Sequence, residues 1–549
     1  MRRDYLLVIG LALLFFFPFL GGVHLFDWDE INFAECAREM LVTGEWVRPQ
    51  IDFQPFFEKP PLFLWAQALS MKLFGVNEFA ARFPNAVCGL VTLLLVYRIG
   101  LRLHDQMFAW LWVLAWLGSF LPHFYFRSGI IDPWFNLLIF GGLYGFIEFR
   151  WQFLTTQTFS SYWQKYRWLL LGGFLLGMAI MTKGPTAYLI VMLVLGLYWA
   201  RYRFRGRGYL KHLLLFSAAS MLVASAWFGL EMALHGPGFV QKFIDYQARL
   251  FATPDAGHGG FFGYHAVVLL VGCFPISVFA VPNLWGDRQS EDELLESDTL
   301  ASCQRSDLAT WMQLLFWVSF ILFSVVKTKI VHYSSLCYFP LTYLGAVTIW
   351  RAVRWDIRPR VTTWLLPTVG VLFGAAVAAI PFFGKNIALL KPLFEGDEFA
   401  LAALEADVEW EYWQGLPGIV LIVSSLVGFY FWKKYRPWLT AQAVFGGGAV
   451  FTALTMLFIV CNIEKHSQGA AIEFYESKQN EHCAVKPLGF KTYAPLFYAG
   501  KKPDSDSGKI YIVAKVGKLD SVLTLPGYQE ICRKNGFVFF EKNSSSQGR

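Results

Sequence analysis

Long apolar runs recur along almost the whole chain, and they constrain its fold more than any other feature of the sequence. They lie near residues 5–26, 84–101, 107–125, 131–149, 168–181, 185–200, 210–230, 263–285, 308–326, 334–350, 361–383, 417–432 and 438–461. Crossing a bilayer as a helix takes about 20 apolar residues, so about thirteen crossings use roughly 250 positions. The chain can supply them: of its 549 residues 56% are hydrophobic and 16% charged, against about 25% charged in a soluble average. Lipid offers no partner to a backbone N–H or C=O, which selects helices over open sheets. The composition therefore excludes a soluble enzyme, a disordered chain and a secreted disulfide scaffold. It predicts an all-α polytopic membrane protein with about thirteen transmembrane helices. The run at 168–181 is short, which leaves the count open by one pair.

The net charge of +7 matters through its placement. Lys and Arg sit mainly in short loops between runs, which gives no nucleic-acid footprint. With the N-terminus inside, the positive-inside rule is satisfied by Arg98 and Arg102, by Arg150, Lys165 and Arg167, and by Arg201, Arg203, Arg205, Arg207 and Lys211. Arg351, Arg354, Arg358 and Arg360, then Lys433, Lys434 and Arg436, complete the inside set. The inside loop 287–307 departs from the pattern with Glu291, Asp292, Glu293 and Glu296. The first run, Tyr5 to Phe26, follows Arg2 and Arg3 but lacks a small-x-small cleavage site, so it reads as an uncleaved span.

Leu62 to Leu73 is apolar but too short to cross, and a crossing there would turn every later basic cluster outward. It is expected as an interfacial helix within a large outside loop, 27–80. An odd number of spans also puts the C-terminus outside. After the membrane module, 1–461, residues 462–549 change character. Lys509–Lys515 and Gly536–Lys542 alternate like strands, predicting a small α/β domain. Cys483 and Cys532 share it, either paired or as two free thiols.

The segment Phe26-Asp27-Trp28-Asp29-Glu30-Ile31-Asn32-Phe33-Ala34-Glu35 places four acids at the outer edge of the first span. Its plain structural reading is a helix N-terminus, where a cap and the helix dipole favour acids. Its chemical reading is a carboxylate held as general base toward a hydroxyl. Other polar segments fall at outer span ends: Phe57-Glu58-Lys59-Pro60-Pro61, Arg127 to Asp132-Pro133, Thr182-Lys183-Gly184-Pro185, and Lys327-Thr328-Lys329-Ile330-Val331-His332-Tyr333. Acids and cations converging at one membrane face suit an anionic lipid headgroup and a hydroxyl acceptor. Lys183 and Lys329 also fit snorkelling anchors, and Tyr333 an aromatic belt. His332 and His265 have no partner at i+4 and read as structural; were a divalent metal bound, Glu58 and His265 would be its first ligands.

These segments together resemble the GT-C glycosyltransferases that use polyprenyl-phosphate sugars, in the bacterial branch of the lipid A aminoarabinose transferases and, more distantly, the protein O-mannosyltransferases. The resemblance spans most of the chain. It implies a sugar transfer from a polyprenyl-phosphate-linked donor to a lipid or protein hydroxyl acceptor, with inversion, among the lipids of a bacterial inner membrane, and it requires no cofactor. Asp29 would activate the acceptor, with Glu30 and Glu35 completing its motif and Asp132 positioning it or the sugar. Lys59, beside Glu58, would contact the donor phosphate, with Arg249 as a second contact and Lys329 a third. Lys183, Lys327 and Tyr333 would support the site. The aminoarabinose transferases carry Arg-Tyr where this chain has Asn32-Phe33, which removes one phosphate contact. A flippase for lipid-linked saccharides, without chemistry, is the alternative; it calls for mid-membrane charges and an internal repeat.

Overall fold

The structure, a computed structural model, describes residues 2–156, 158–204, 209–252, 259–286, 300–518 and 527–542. Arg205, Arg207 and the acids at 291–296 lie outside the described residues. Each apolar run falls on a helix or on a bent pair of helices. Among the described residues, seven helices are long and apolar enough to cross a membrane, or nine if each of two bent pairs is one span.

The bent pairs correct two expected straight spans. Gln106–Gly118 and Phe120–Arg127 meet at 79°, and Tyr264–Gly272 and Ile276–Asn283 at 108°. The second break sits at Pro275, which cannot donate a helical hydrogen bond. The first run is corrected too: α1 covers only Arg2–Phe16, because Pro18, Gly21 and Gly22 follow. The carbonyls freed by unwinding are taken by two buried arginines. Arg82 donates to Leu20, Val23 and His24, and Arg127 to Phe15 and Pro18. Such pairing is required where water is scarce.

After α1 come α2 (Asp29–Thr43) and a short hairpin, β1 (Gln50–Ile51) with β2 (Gln54–Pro55). The chain continues in α3 (Leu62–Phe74), whose 13 residues span about 20 Å at 1.5 Å each, short of the hydrocarbon thickness. Phe63, Leu64 and Met71 of α3 are buried, and Gln67 donates to Ala81 at the start of α4 (Glu78–Leu103). The short run at 168–181 belongs to a helix of 22 residues, Tyr162–Lys183. It packs tightly on Asp132–Thr155 because glycines face each other: a Cβ on Gly145 would lie 2.8 Å from Gly172 Cα. Small residues permit such close backbone approach.

The helix that starts at Pro437 continues for 41 residues to Ser477, through residue 462, before the C-terminal sheet begins. That sheet is mixed, with order β3 (Cys483–Leu488), β4 (Lys509–Lys515), β6 (Phe537–Lys542), β5 (Tyr528–Lys534). β3 and β4 run parallel and the other pairs antiparallel. Both expected strands are present. Cys483 and Cys532 stand on opposite edge strands and are free, so the pairing left open by the sequence does not form. Two strands separate them at about 4.8 Å per step, beyond disulfide reach. The segment between β3 and β4 is tied to residues 25–52. The Leu25 amide donates to Tyr498 Oη at 2.7 Å, Arg38 to the Lys501 carbonyl at 2.9 Å, and Lys501 Nζ meets Asp52 at 2.6 Å.

Candidate active site

The acid-rich motif divides into two groups once folded. Glu30 and Glu35 brace the structure. Glu30 accepts from Arg82 Nε and Nη2 at 3.0 and 2.8 Å, from the Phe26 amide at 2.9 Å, and from the Gly129 amide. Burial alone would raise its pKa, but Arg82 and the two amides hold it below the usual value. Glu35 forms a bidentate pair with Arg38, both contacts 2.7 Å, under the C-terminal domain. Neither lines the cavity that Trp28, Asp29 and Phe33 of the motif line.

Asp29, the first residue of α2, faces the opposite way. It lines a cavity with Trp28, Phe33, Glu58, Lys59, Phe135, Lys183, Tyr246, His332 and Tyr333. These residues come from six separate stretches of chain, which no local pattern would join. His332 Nε2 lies 3.2 Å from Asp29 Oδ2 and 3.9 Å from Asp132 Oδ2. Asp132 Oδ1 accepts from Lys183 Nζ at 2.6 Å, while its Oδ2 has no hydrogen-bond partner among the described residues. Lys183 also sits over the Tyr333 and Phe135 rings at 5.1 and 5.6 Å. A turn places it there: Gly184 has φ +103°, and a Cβ would strike the Phe243 ring. Glycine is needed for both reasons.

Lys59 is held at the cavity wall by the Pro60-Pro61 turn that leads into α3, its ammonium 5.0 Å above the Tyr246 ring. Neither Lys59 nor Glu58 has an ion-pair partner among the described residues, so one cation of the cavity is left for an anion. On the rim, Trp28 stacks on Tyr493 of the C-terminal domain at 6.2 Å. Lys491 lies 4.8 Å over the Trp28 ring.

Several expected contacts are not made. Lys329 does not reach the cavity. Its ammonium donates to the carbonyls of Phe323, Ser324 and Val326 at 3.2, 2.5 and 2.7 Å, which uses all three of its donors. It caps the helix Leu300–Val325, whose last carbonyls lack helical partners. Lys327 is exposed and outside the cavity wall. Arg249 is exposed one turn from Tyr246, its guanidinium 5.3 Å over that ring, beside the cavity rather than lining it. His265 is fully buried against Tyr264. No group of three metal-ligand side chains containing Glu58 or His265 converges among the described residues; one group does, His24, Glu78 and Glu476. Asn32 is buried and outside the cavity, whereas Phe33 lines it.

His332, Tyr246 and Trp28 are the cavity residues that the sequence reading passed over. For His332 the usable signal was absent, since its partners Asp29 and Asp132 lie on other elements far away in sequence.

The profile of the dolichyl-phosphate-mannose-protein mannosyltransferase family matches residues 19–235. An undecaprenyl phosphate-alpha-4-amino-4-deoxy-L-arabinose arabinosyl transferase of Pectobacterium carotovorum is 30% identical over 451 residues, 78% of this chain and 75% of the relative. The protein of the same name from Edwardsiella ictaluri is 31% identical over 440 residues, 76% of this chain and 75% of that one. The crystal structure of ArnT from Cupriavidus metallidurans bound to undecaprenyl phosphate superposes with a TM-score of 0.75 over 99% of both chains at 18% identity, so the fold is shared. With an acid and a cation facing one cavity on that fold, and a relative above 30% identity across three quarters of its length, the chain belongs to the undecaprenyl phosphate-aminoarabinose arabinosyl transferase family of membrane glycosyltransferases.

Proposed function

We propose that this glycosyltransferase moves a sugar from a polyprenyl-phosphate donor to a lipid A-like acceptor at the outer face of the bacterial inner membrane. The observation that carries the reading is the pairing, in one cavity, of Asp29 with a lysine, Lys59, that has no ion-pair partner among the described residues. In the reaction the acceptor oxygen attacks the anomeric carbon while the bond from that carbon to the phosphate oxygen breaks. Asp29 takes the acceptor's proton, and polyprenyl phosphate leaves with the electron pair, its charge met by Lys59. Single displacement gives inversion. Fixed cations aimed at developing charge are the strongest lever such a site has. Arg249, beside Tyr246, is the second phosphate contact when the donor binds. Asp132 and Lys183 hold the neighbouring wall. The relatives' names specify undecaprenyl phosphate and aminoarabinose; here Phe33 gives the cavity an apolar edge, which bears on the sugar accepted.

The acceptor side is the rim of Trp28, Tyr493 and Lys491, where a membrane-bound saccharide reaches Asp29 from outside. This reading takes residues 1–461 as the membrane module and places thirteen crossings in the chain, N-terminus cytoplasmic, with loop 27–80 and the C-terminal domain periplasmic. The basic inside loops support that orientation.

The test is reconstitution in vesicles with undecaprenyl-phosphate-linked aminoarabinose and lipid A, followed by mass spectrometry of both. Sugar-modified lipid A and free undecaprenyl phosphate in equal amounts are expected. Movement of intact donor across the bilayer without its cleavage would instead establish the flippase.

A further inference from the structure

The carboxylate of Asp29 is held by one described contact. Among the described residues, no hydrogen bond or ion pair other than that to His332 touches it. A general base on a single-turn stem, free to rotate, spends much of its time misaimed, and orientation is a large part of catalysis. His332 is well placed to prevent this. It is the second residue of the 3-10 segment Val331–Cys337, entered from an extended Ile330, and is 13% exposed at the side chain. Its Nε2 stands between Asp29 Oδ2 and Asp132 Oδ2. Asp132 is itself immobilised through Lys183 and buried, at 3% exposure.

The charged groups facing the imidazole are Asp29 from α2, Asp132 from the helix Asp132–Thr155, Lys183 from the end of Tyr162–Lys183, and Lys59 from the turn before α3. Two carboxylates sharing one imidazole repel each other unless a donor lies between them. An N–H or imidazolium at Nε2 supplies that donor, and the unpartnered Asp132 oxygen is aimed at the same nitrogen. Tyr333, next in the chain, packs on Lys183 and so fixes the segment's direction.

We propose that His332 is the positioning residue of the transfer reaction: it holds Asp29 Oδ2 so that the other oxygen meets the acceptor proton, and it is anchored in turn by Asp132 and Lys183. This rests on the function proposed above. His332 does not touch the donor or the transferred sugar; it acts through Asp29.

The experiment compares His332→Ala and His332→Gln with wild type in vesicles, using undecaprenyl-phosphate-linked aminoarabinose and lipid A. Loss of the donor to Asp29 lowers kcat of His332→Ala by about 100-fold, the lower end of a general base's worth. Donor and acceptor KM stay within threefold of wild type, taking about threefold as the limit for unchanged binding. His332→Gln keeps an N–H at this place and recovers about tenfold of the loss, the worth of one such hydrogen bond. His332→Ala and Asp132→Asn combined cost less than their separate losses imply. A KM change without a kcat change, or a His332→Gln protein no more active than His332→Ala, overturns the proposal. A His332→Ala protein that does not fold leaves the kcat and KM of His332→Gln and of Asp132→Asn to decide. Absence of transfer by wild type defeats the functional reading instead, which separates the two failures.

Discussion

Lys183 Nζ lies 2.6 Å from Asp132 Oδ1, with the carboxylate 3% and the ammonium 18% exposed. This buried pair joins the start of one long helix, Asp132–Thr155, to the end of the next, Tyr162–Lys183, and leaves the second Asp132 oxygen 3.9 Å from His332 Nε2. Removing one partner leaves a buried charge uncompensated, which costs about 3–5 kcal/mol, whereas removing both is far milder. Lys183→Met should therefore lower the thermal midpoint of the detergent-solubilised protein sharply. Lys183→Met with Asp132→Asn should restore most of it while activity stays low. Equal stability of the single and double variants would mean that the pair is not coupled.

Asp29 and Lys59 should separate chemistry from binding. Asp29→Asn removes the base and leaves the phosphate contact, so turnover falls at least about a hundredfold while undecaprenyl phosphate still binds. Lys59→Ala loses a charge-stabilising donor worth about 2.7–4 kcal/mol in the transition state, so turnover falls by a similar factor and undecaprenyl phosphate affinity falls as well. Single-turnover sugar transfer and equilibrium binding of undecaprenyl phosphate measure the two terms. Wild-type turnover in both variants would dismiss the assignment.

Lys329 should behave as a structural cap. Its three carbonyl contacts contribute to stability and none points into the cavity. Lys329→Met is expected to lower the thermal midpoint, since buried carbonyls lose their partner at about 1–3 kcal/mol each, with donor KM unchanged. A raised donor KM at unchanged stability would return Lys329 to the phosphate site.

Glu39 of α2 gives the fold a pH dependence. Burial, with Glu35 next to it, pushes its carboxyl up to about 8 from 4.5. The folded chain keeps a proton that the unfolded chain releases above its ordinary value, so stability falls as pH rises between those limits and levels off above about 8. Glu39→Gln mimics the protonated form and should flatten that decline. Thermal midpoints from pH 5 to 9 test it, and parallel curves for the two proteins would show that Glu39 titrates normally.

Much of the architecture was legible in the chain itself. Hydrophobic runs report helices because lipid leaves backbone groups no other partner, and the two C-terminal strands announced themselves by alternation. Asp29, Lys59, Asp132 and Lys183 stood out in polar segments at span ends, and the roles expected of Asp29 and Lys59 came from the family resemblance. The bent helices and the early end of α1 were less visible, since Pro275, Pro18 and the glycines break helices only where other groups, here Arg82 and Arg127, take up the freed carbonyls. Which acids face the cavity was decided only in the tertiary structure. Glu30 and Glu35 have the same charge and neighbourhood as Asp29 in sequence, but Arg82 and Arg38 neutralise them, while helix direction turns Asp29 toward His332. Lys329 caps a helix end and His332 lines the cavity for the same reason: what a side chain meets depends on what lies across the space it faces, and those partners come from elements that the chain order keeps apart.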